Sequence, residues 1–303
     1  MRPIIFVYGT GKHEADQVGE GTVKVPYFKR MMQAHVKPIT DALGSRDWQW
    51  EPHTVTGTVN VTGFWMRQLQ TQPTKCDVMI GHGLADKHYR NYHQCKTFRY
   101  VVSPGPGWTR KLLKTGFKES QILEVGYTKL DPIYQGKFTP TPRTDDRPRV
   151  LYAGSHPWHD GGSGKDAILR ALPEDKYNVT FAGHPSQTGV VTFQPLVDAD
   201  VVIADMGSLM YEGWALGKPV VVSIWTSTRL LKAAHSLEQG VFQGGYGYQA
   251  DNPEELPKFI DRALKNGIDA PARKFIDDLF APEYHGVSGK LHAEALKKIA
   301  NQL

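Results

Sequence analysis

The 303-residue sequence predicts an α/β protein of two Rossmann-like, doubly wound domains facing each other across a cleft, with the C-terminal helix crossing back to the first. Short β-rich apolar runs alternate with segments of helical length and period, the pattern of parallel sheets covered by helices. The runs fall into two sets, divided by a stretch poor in core-forming residues. The chain is long enough for each set to bury its own core. No apolar run approaches the ~18 residues of a membrane span, so a soluble protein without an integral membrane segment is expected.

The first domain, residues 1–130, opens on IIFVY (4–8), followed by the Gly-rich turn YGTGKH (8–13). That apolar run is too short for a signal peptide, so it reads as a core strand and a cytoplasmic location is expected, the host's cytoplasm if the chain is phage-encoded. Residues 54–63 alternate apolar and small side chains and read as an edge hairpin or a loop. DVMI (77–80), YVV (100–102) and ILEV (122–125) complete the first set. Residues 131–148, rich in Pro, Thr and charge, form the linker. The second domain, residues 149–303, supplies VLYA (150–153), VTFA (179–182), DVVIAD (200–205) and VVVSI (220–224). In the last segment Val287, Leu291, Ala295, Leu296 and Ile299 recur at helical spacing, which predicts a terminal amphipathic helix packed on the first domain.

Charge is distributed unevenly. Residues 1–145 hold 20 Lys and Arg against 12 Asp and Glu, whereas residues 146–303 hold 16 against 19. A basic first half suits a polyanionic partner, and Lys87, Arg90, Arg110, Lys111 and Lys114 are its candidate contacts. The two cysteines, Cys76 and Cys95, lack CxxC spacing and read as reduced thiols.

The strongest constellation for chemistry is DVVIADMGSLMYEGWALGKPVVV, residues 200–222. A buried strand ends at Asp205, a turn follows at Gly207 and Ser208, and a helix begins whose free amides can hold a phosphate oxygen. Glu212 falls one turn on from Ser208, where a carboxylate can accept from ribose hydroxyls. In DVMIGHGLADK, His82 stands between two glycines after a strand, an uncrowded position for a general base; His13 in the first Gly-rich turn is its rival. Ser155, after the strand at 150–153, and His184 in GHPS are further candidates for donor phosphates. The segment ending at Lys165 departs from a Walker loop, since His159 and Asp166 occupy positions that a phosphate loop reserves for other residues. His156 and His159 lack a clear third ligand, so no metal site is expected and no cofactor is required.

With those residues in view, the chain resembles the CDP-glycerol glycerophosphotransferase family, GT-B enzymes that build teichoic acid polymers. His82 and Gly83, with Lys87 behind them, match its HG-x-x-x-K motif, and the stretch 100–131 is similar to its run into a Gly-Tyr-Pro-Arg-x-Asp motif. His184 to Ser186, Asp205 to Pro219 and the closing HGVSGKLHAEAL resemble further family segments. Thr128 and Lys129 stand where the family has Pro-Arg, and Gly207 replaces its first Ser; Glu212 and GKPVVV are instead similar to UDP-sugar enzymes.

The resemblance implies a GT-B transferase with His82 as base. Its co-substrate would be a CDP- or UDP-linked donor held by Ser155, His184, Asp205, Gly207, Ser208, Glu212 and Lys129. The acceptor would be a hydroxyl on an anionic, teichoic-acid-like polymer. Three alternatives stand beside it: a bacteriophage-type glycosyltransferase acting on hydroxymethylated DNA bases, with Trp48, Trp50, Trp65 or Trp108 as stacking surface; a UDP-sugar epimerase; and a non-catalytic polyanion-binding module.

Overall fold

The computed structural model describes residues 1–9, 27–63, 75–81, 83–86, 95–154, 164–182, 192–227 and 236–303. The chain forms two compact units. One comprises Met1–His82, Arg90–Gln135 and Asp278–Leu303; the other comprises Gly83–Tyr89 and Gly136–Asp277. The chain passes between them after Gln135, within the expected linker. Two segments differ from the expected domain limits: residues 83–89 belong to the second unit and residues 278–303 to the first.

The first unit contains β1 (Ile4–Val7), α1 (Tyr27–Ala42), β2 (Trp48–Glu51), β3 (Val59–Thr62), β4 (Val78–Met79), β5 (Tyr100–Ser103), α2 (Pro106–Lys114) and β6 (Ile122–Glu124). The sheet runs β2-β1-β3-β4-β5-β6 with every pair parallel. Strands covered on both faces read as continuous apolar runs, and all of β1 is buried. On α1, Met32, Val36, Ile39 and Leu43 recur at three- and four-residue spacing and join Ile4, Phe6, Val59, Val61 and Val78 in one core.

The stretch expected as an edge hairpin or loop instead supplies an interior strand, β3, buried along its whole length. Asn60 hides it from a hydropathy reading. The Asn60 side chain accepts from Val55 N–H at 2.8 Å and donates to Val55 O at 3.1 Å, while its backbone N–H donates to Asp77 Oδ2 at 2.9 Å. A polar residue with its groups satisfied is tolerated inside a sheet. Trp48 and Trp50, on edge strand β2, pack against Phe6 at ring separations of 6.0 and 5.5 Å. Trp108 is buried in α2, so these three serve packing; Trp65 lies outside the described residues.

The second unit contains β7 (Arg149–Ala153), α3 (Gly164–Ala171), β8 (Asn178–Phe181), α4 (Phe193–Asp198), β9 (Val201–Ala204), α5 (Ser208–Ala215), β10 (Val220–Ser223), α6 (Leu237–Gln243), β11 (Tyr248–Ala250) and α7 (Leu256–Asn266), and ends within α8 (Ala270–Leu279). Its parallel sheet runs β11-β10-β9-β7-β8. The core gathers Val150, Val201, Ile203 and Val221 from the strands, with Ile168, Leu256, Ile260 and Ala263 from the helices. Lys218, in the Gly-Lys-Pro turn before β10, donates to Val197 O and Ala199 O, both at 2.8 Å. It thereby satisfies carbonyls at the C-terminal end of α4.

The C-terminal helix α9 (Ser288–Gln302) returns to the first unit and packs on α1. Its buried stripe is Ser288, Gly289, His292, Ala293, Leu296, Ile299 and Ala300, rotated from the expected one; Val287 is the N-cap and 41% exposed. Small residues decide the rotation, because a Cβ on Gly289 would lie 2.5 Å from Pro38 O of α1. Asp131 Oδ2 accepts from Gly289 N–H at 2.6 Å and anchors the helix start. Burial holds the Asp131 carboxyl above its usual pKa and pushes the enclosed His292 imidazole down to about 4. Cys76 and Cys95 are buried free thiols, pushed up to about 12, chiefly by burial.

Candidate functional site

Topology indicates where each unit can hold a ligand. In the second sheet β8 and β9 lie on opposite sides of β7, so the order of travel reverses there. In open parallel sheets ligands settle beyond the C-terminal strand ends at such a point. Ala153 and Ala204 are register partners at those ends, and Gly154 and Asp205 follow them. The first sheet reverses at β1, which runs into Tyr8 and Gly9.

Beyond β9, Asp205 is 3% exposed and its carbonyl accepts from Gly207 N–H at 2.7 Å. Gly207 is the N-cap of α5 in an extended conformation, offers no capping side chain, and is followed by a first turn without an acidic residue. The opening amides of α5 therefore keep the partial positive charge of a helix start. Ser208 Oγ accepts from two backbone amides, Leu84 N–H at 3.0 Å and Ala85 N–H at 3.3 Å. A hydroxyl has two acceptor positions and one proton. With both acceptors occupied, the Ser208 hydroxyl proton is what it can offer a ligand.

The segment that reaches Ser208 is Gly83–Asp86, directly after His82. Both glycines around that histidine have a conformational reason. Gly81 sits at φ +72°, where L side chains are strained, and a Cβ on Gly83 would collide with Ser208 Oγ. Two bonds hold the far end of the segment: Asp86 N–H donates to Glu238 Oε1 at 2.8 Å, and Leu237 N–H donates to Asp86 Oδ2 at 2.9 Å. Tyr211 OH, from α5, donates to the same Glu238 oxygen at 2.9 Å. Asp86 is 1% exposed and Glu238 fully enclosed. Burial first, then the neighbouring Asp86 charge, pushes the Glu238 carboxyl up to about 7.

These residues were missed by the sequence reading. HSLEQG at 235–240 looks like an ordinary helix start, and Ser236 Oγ does cap by accepting from Gln239 N–H at 3.0 Å. Nothing in that pattern signals a partner some 150 residues earlier in the chain.

Of the residues singled out from sequence, Asp205, Gly207, Ser208 and Glu212 are brought together on the β9–α5 junction. Glu212, expected to face ribose hydroxyls, is 1% exposed and engaged within the protein. Lys129 stands on the 3-10 turn Thr128–Leu130 of the first unit, half-buried and also engaged. Arg110, Lys111 and Lys114 share helix α2, but Arg110 is ion-paired with Asp278, so its charge is already met. His82, His13, Ser155, His184, Lys87 and Arg90 lie outside the described residues, as do His156 and His159. Among the described residues no His, Cys, Asp and Glu group is arranged to hold a metal ion. None of their helices is long and apolar enough to cross a membrane.

Two parallel sheets of this kind, each with a reversal point and flanking helices, define the GT-B fold, and solved structures of that fold align along nearly the whole chain. The wall teichoic acid polymerase TagF aligns over 99% of this chain and 89% of its own, at 14% identity and a TM-score of 0.62. The UDP-GlcNAc 2-epimerase from Neisseria meningitidis bound to UDP-GlcNAc covers 98% and 100%, at 12% identity and a TM-score of 0.54. MnaA from S. aureus with UDP covers 100% and 98%, at 12% identity and a TM-score of 0.53. No family model and no curated protein matches the sequence. At these identities the likeness establishes the fold.

Proposed function

We propose that the protein is a GT-B transferase that moves a glycosyl or glycerophosphate group from a nucleotide-diphosphate donor to a hydroxyl on an anionic polymer. The observation that carries this reading is the β9–α5 junction: uncapped helix amides beside a serine hydroxyl whose acceptor positions are already filled. Such a junction presents hydrogen-bond donors, which is what a departing nucleotide phosphate requires.

In the proposed reaction His82 takes the proton of the acceptor hydroxyl as its oxygen attacks the donor. The bond to the nucleotide phosphate breaks, and the leaving oxygen keeps the electron pair. Ser208 and the α5 amides stabilise the charge that develops there, a role the sequence motifs also give to Ser155 and His184. If the donor is a sugar nucleotide, attack falls on the anomeric carbon with inversion; if CDP-glycerol, on phosphorus. A base aligned with the hydroxyl contributes about 10² to 10⁴ in rate. TagF, a teichoic acid polymerase of the same fold, and the excess of Lys and Arg in residues 1–145 support an anionic polymer as acceptor.

The test is nucleotide release from CDP-glycerol and from UDP-N-acetylglucosamine, with and without polyglycerol phosphate or hydroxymethylated DNA. Polymer-dependent release of CMP from CDP-glycerol, or of UDP from UDP-N-acetylglucosamine, is expected. Epimerisation of the sugar with UDP still attached would replace this reading with the epimerase one. Release stimulated by DNA alone would change the acceptor, and binding of polymer without turnover would leave a non-catalytic module.

A further inference from the structure

The first unit has a concave site of its own between the starts of β5 and β6. It is a cavity of about 640 Å³ lined by Lys96, Arg99, Tyr100, Lys118, Ser120 and Gln121, with Gly116 beside them. That is the size of a small-molecule pocket, but such pockets are mostly apolar, whereas this one carries three cations and, among the described residues, no carboxylate. The local sequence has the same bias: residues 96–121 hold six Lys and Arg against one acid, Glu119. Lys96 and Lys118 are exposed and form no ion pair among the described residues. Arg99 lies 5.8 Å from the centre of the Tyr100 ring; its charge also reaches Asp77, a carboxyl it shares with Arg2. The walls are fixed before any ligand arrives. Gln121 Oε1 accepts from Lys118 N–H and Gln121 Nε2 donates to Phe98 O, both at 3.1 Å, which ties the start of β6 to the turn that carries Lys96 and Arg99. Gly116 follows α2 at φ +89°, and a Cβ there would lie 2.8 Å from Lys96 Nζ, so the bare backbone leaves room for the ammonium. A helix C-terminus carries about half a negative charge, enough to favour one of these cations and too little for three.

We propose that this cavity binds phosphate groups of a polyanion and so anchors the acceptor polymer away from its reacting end; the polymer's identity rests on the transferase reading, whereas the phosphate chemistry does not. Lysine and arginine bring positive charge and N–H donors with no acceptor, and Ser120 adds a hydroxyl, a set matched to phosphate oxygens. The cavity lies at the N-terminal ends of β5 and β6, whereas ligands of open parallel sheets settle beyond the C-terminal ends. The four residues of β5 separate those two ends by ~13 Å. A phosphate held at one end and a hydroxyl presented at the other belong to a long chain, so a polymer gains from this site and a single small acceptor does not. Lys111 and Lys114, in the last turn of α2, extend the basic surface towards Gly116. Phe98 and Phe117 are buried, so the site presents mainly charge and little apolar surface to insert into a lipid layer, which favours a polymer over a membrane.

Binding of labelled polyglycerol phosphate is measured by fluorescence anisotropy across a salt series in the wild type and in Lys96→Ala/Arg99→Ala/Lys118→Ala. The control is Lys37→Ala/Lys290→Ala/Lys298→Ala, which removes the same charge from exposed positions on α1 and α9. Inorganic polyphosphate and phosphatidylglycerol vesicles are tested alongside. At low salt the cavity variant should bind polyglycerol phosphate about tenfold or more weakly, with the control within about twofold of the wild type. Its slope of log affinity against log salt should flatten by about 2, at ~0.7 per phosphate contact as for a single-stranded nucleic acid. In turnover assays its KM for the polymer should rise by a similar factor with kcat within about twofold, because the cavity lies away from the reacting end. Equal affinities and slopes in the cavity variant and the control would overturn the site and leave the acceptor reading standing. Polyphosphate binding that is lost in the cavity variant, in a protein that does not bind polyglycerol phosphate, would uphold the phosphate site and remove the polymer. A wild type that binds neither polyanion overturns both. Vesicle binding lost in the cavity variant while polymer binding persists would make this a membrane contact and overturn the proposal.

Discussion

Replacing Glu238 by Gln should change how the stability of the protein depends on pH. Burial and the Asp86 charge raise this carboxyl from 4.5 to about 7. A pKa difference of that size corresponds to about 3 kcal/mol, at ~1.36 kcal/mol per tenfold step. The sign follows from proton binding. Between those two values the folded state holds the proton and the unfolded state has released it, so stability falls as pH rises through the window. The cost is absent below the unfolded value and complete above the folded one. Gln carries no proton to lose, so the variant lacks this slope. Relative to the wild type it should gain about 2–3 kcal/mol between pH 5 and pH 8.5. Urea unfolding of both proteins at several pH values, followed by circular dichroism, measures the difference. Parallel stability–pH curves would show that Glu238 titrates normally and would refute the argument from burial and charge.

Four further outcomes are expected. Gly83→Ala places a Cβ against Ser208 Oγ, so it should speed exchange at Leu84 and Ala85 and lower turnover, as followed by mass spectrometry and nucleotide release. Glu212→Ala should weaken CDP or UDP binding by about 1–3 kcal/mol if ribose reaches that carboxylate; unchanged calorimetric affinity in a folded variant rejects the ribose role. Leu296→Ala, in the face of α9 that meets α1, should destabilise by about 2–5 kcal/mol in denaturant melts, and a loss under 1 kcal/mol would argue against that packing. Reversing Arg110, Lys111 and Lys114 together should flatten the salt dependence of polyglycerol phosphate binding, measured by fluorescence anisotropy; reversing Arg110 alone should do less because Asp278 already neutralises it.

Several features were legible in the sequence because they depend on local pattern. Apolar runs such as IIFV and VVIA mark strands covered on both faces, and their alternation with helical periods defines two parallel sheets. The strand–Gly-Ser–helix junction at 205–208 is equally local, since its free amides follow from the helix start itself. Two other features were hidden. Strand β3 carries Asn60 in its interior, and only the Val55 and Asp77 partners make that burial affordable. The buried face of α9 depends on how closely its backbone approaches Pro38, which hydrophobic spacing does not encode. The pairing of Asp86 with Glu238 is the plainest case. Asp86 and Glu238 are ordinary acidic residues in the sequence, and their hydrogen bonds and the raised pKa of Glu238 arise from being enclosed together. Periodicity sets which faces are apolar and so the fold class; the dielectric and partners a polar group meets are set by residues distant in the chain, and only the tertiary structure decides them.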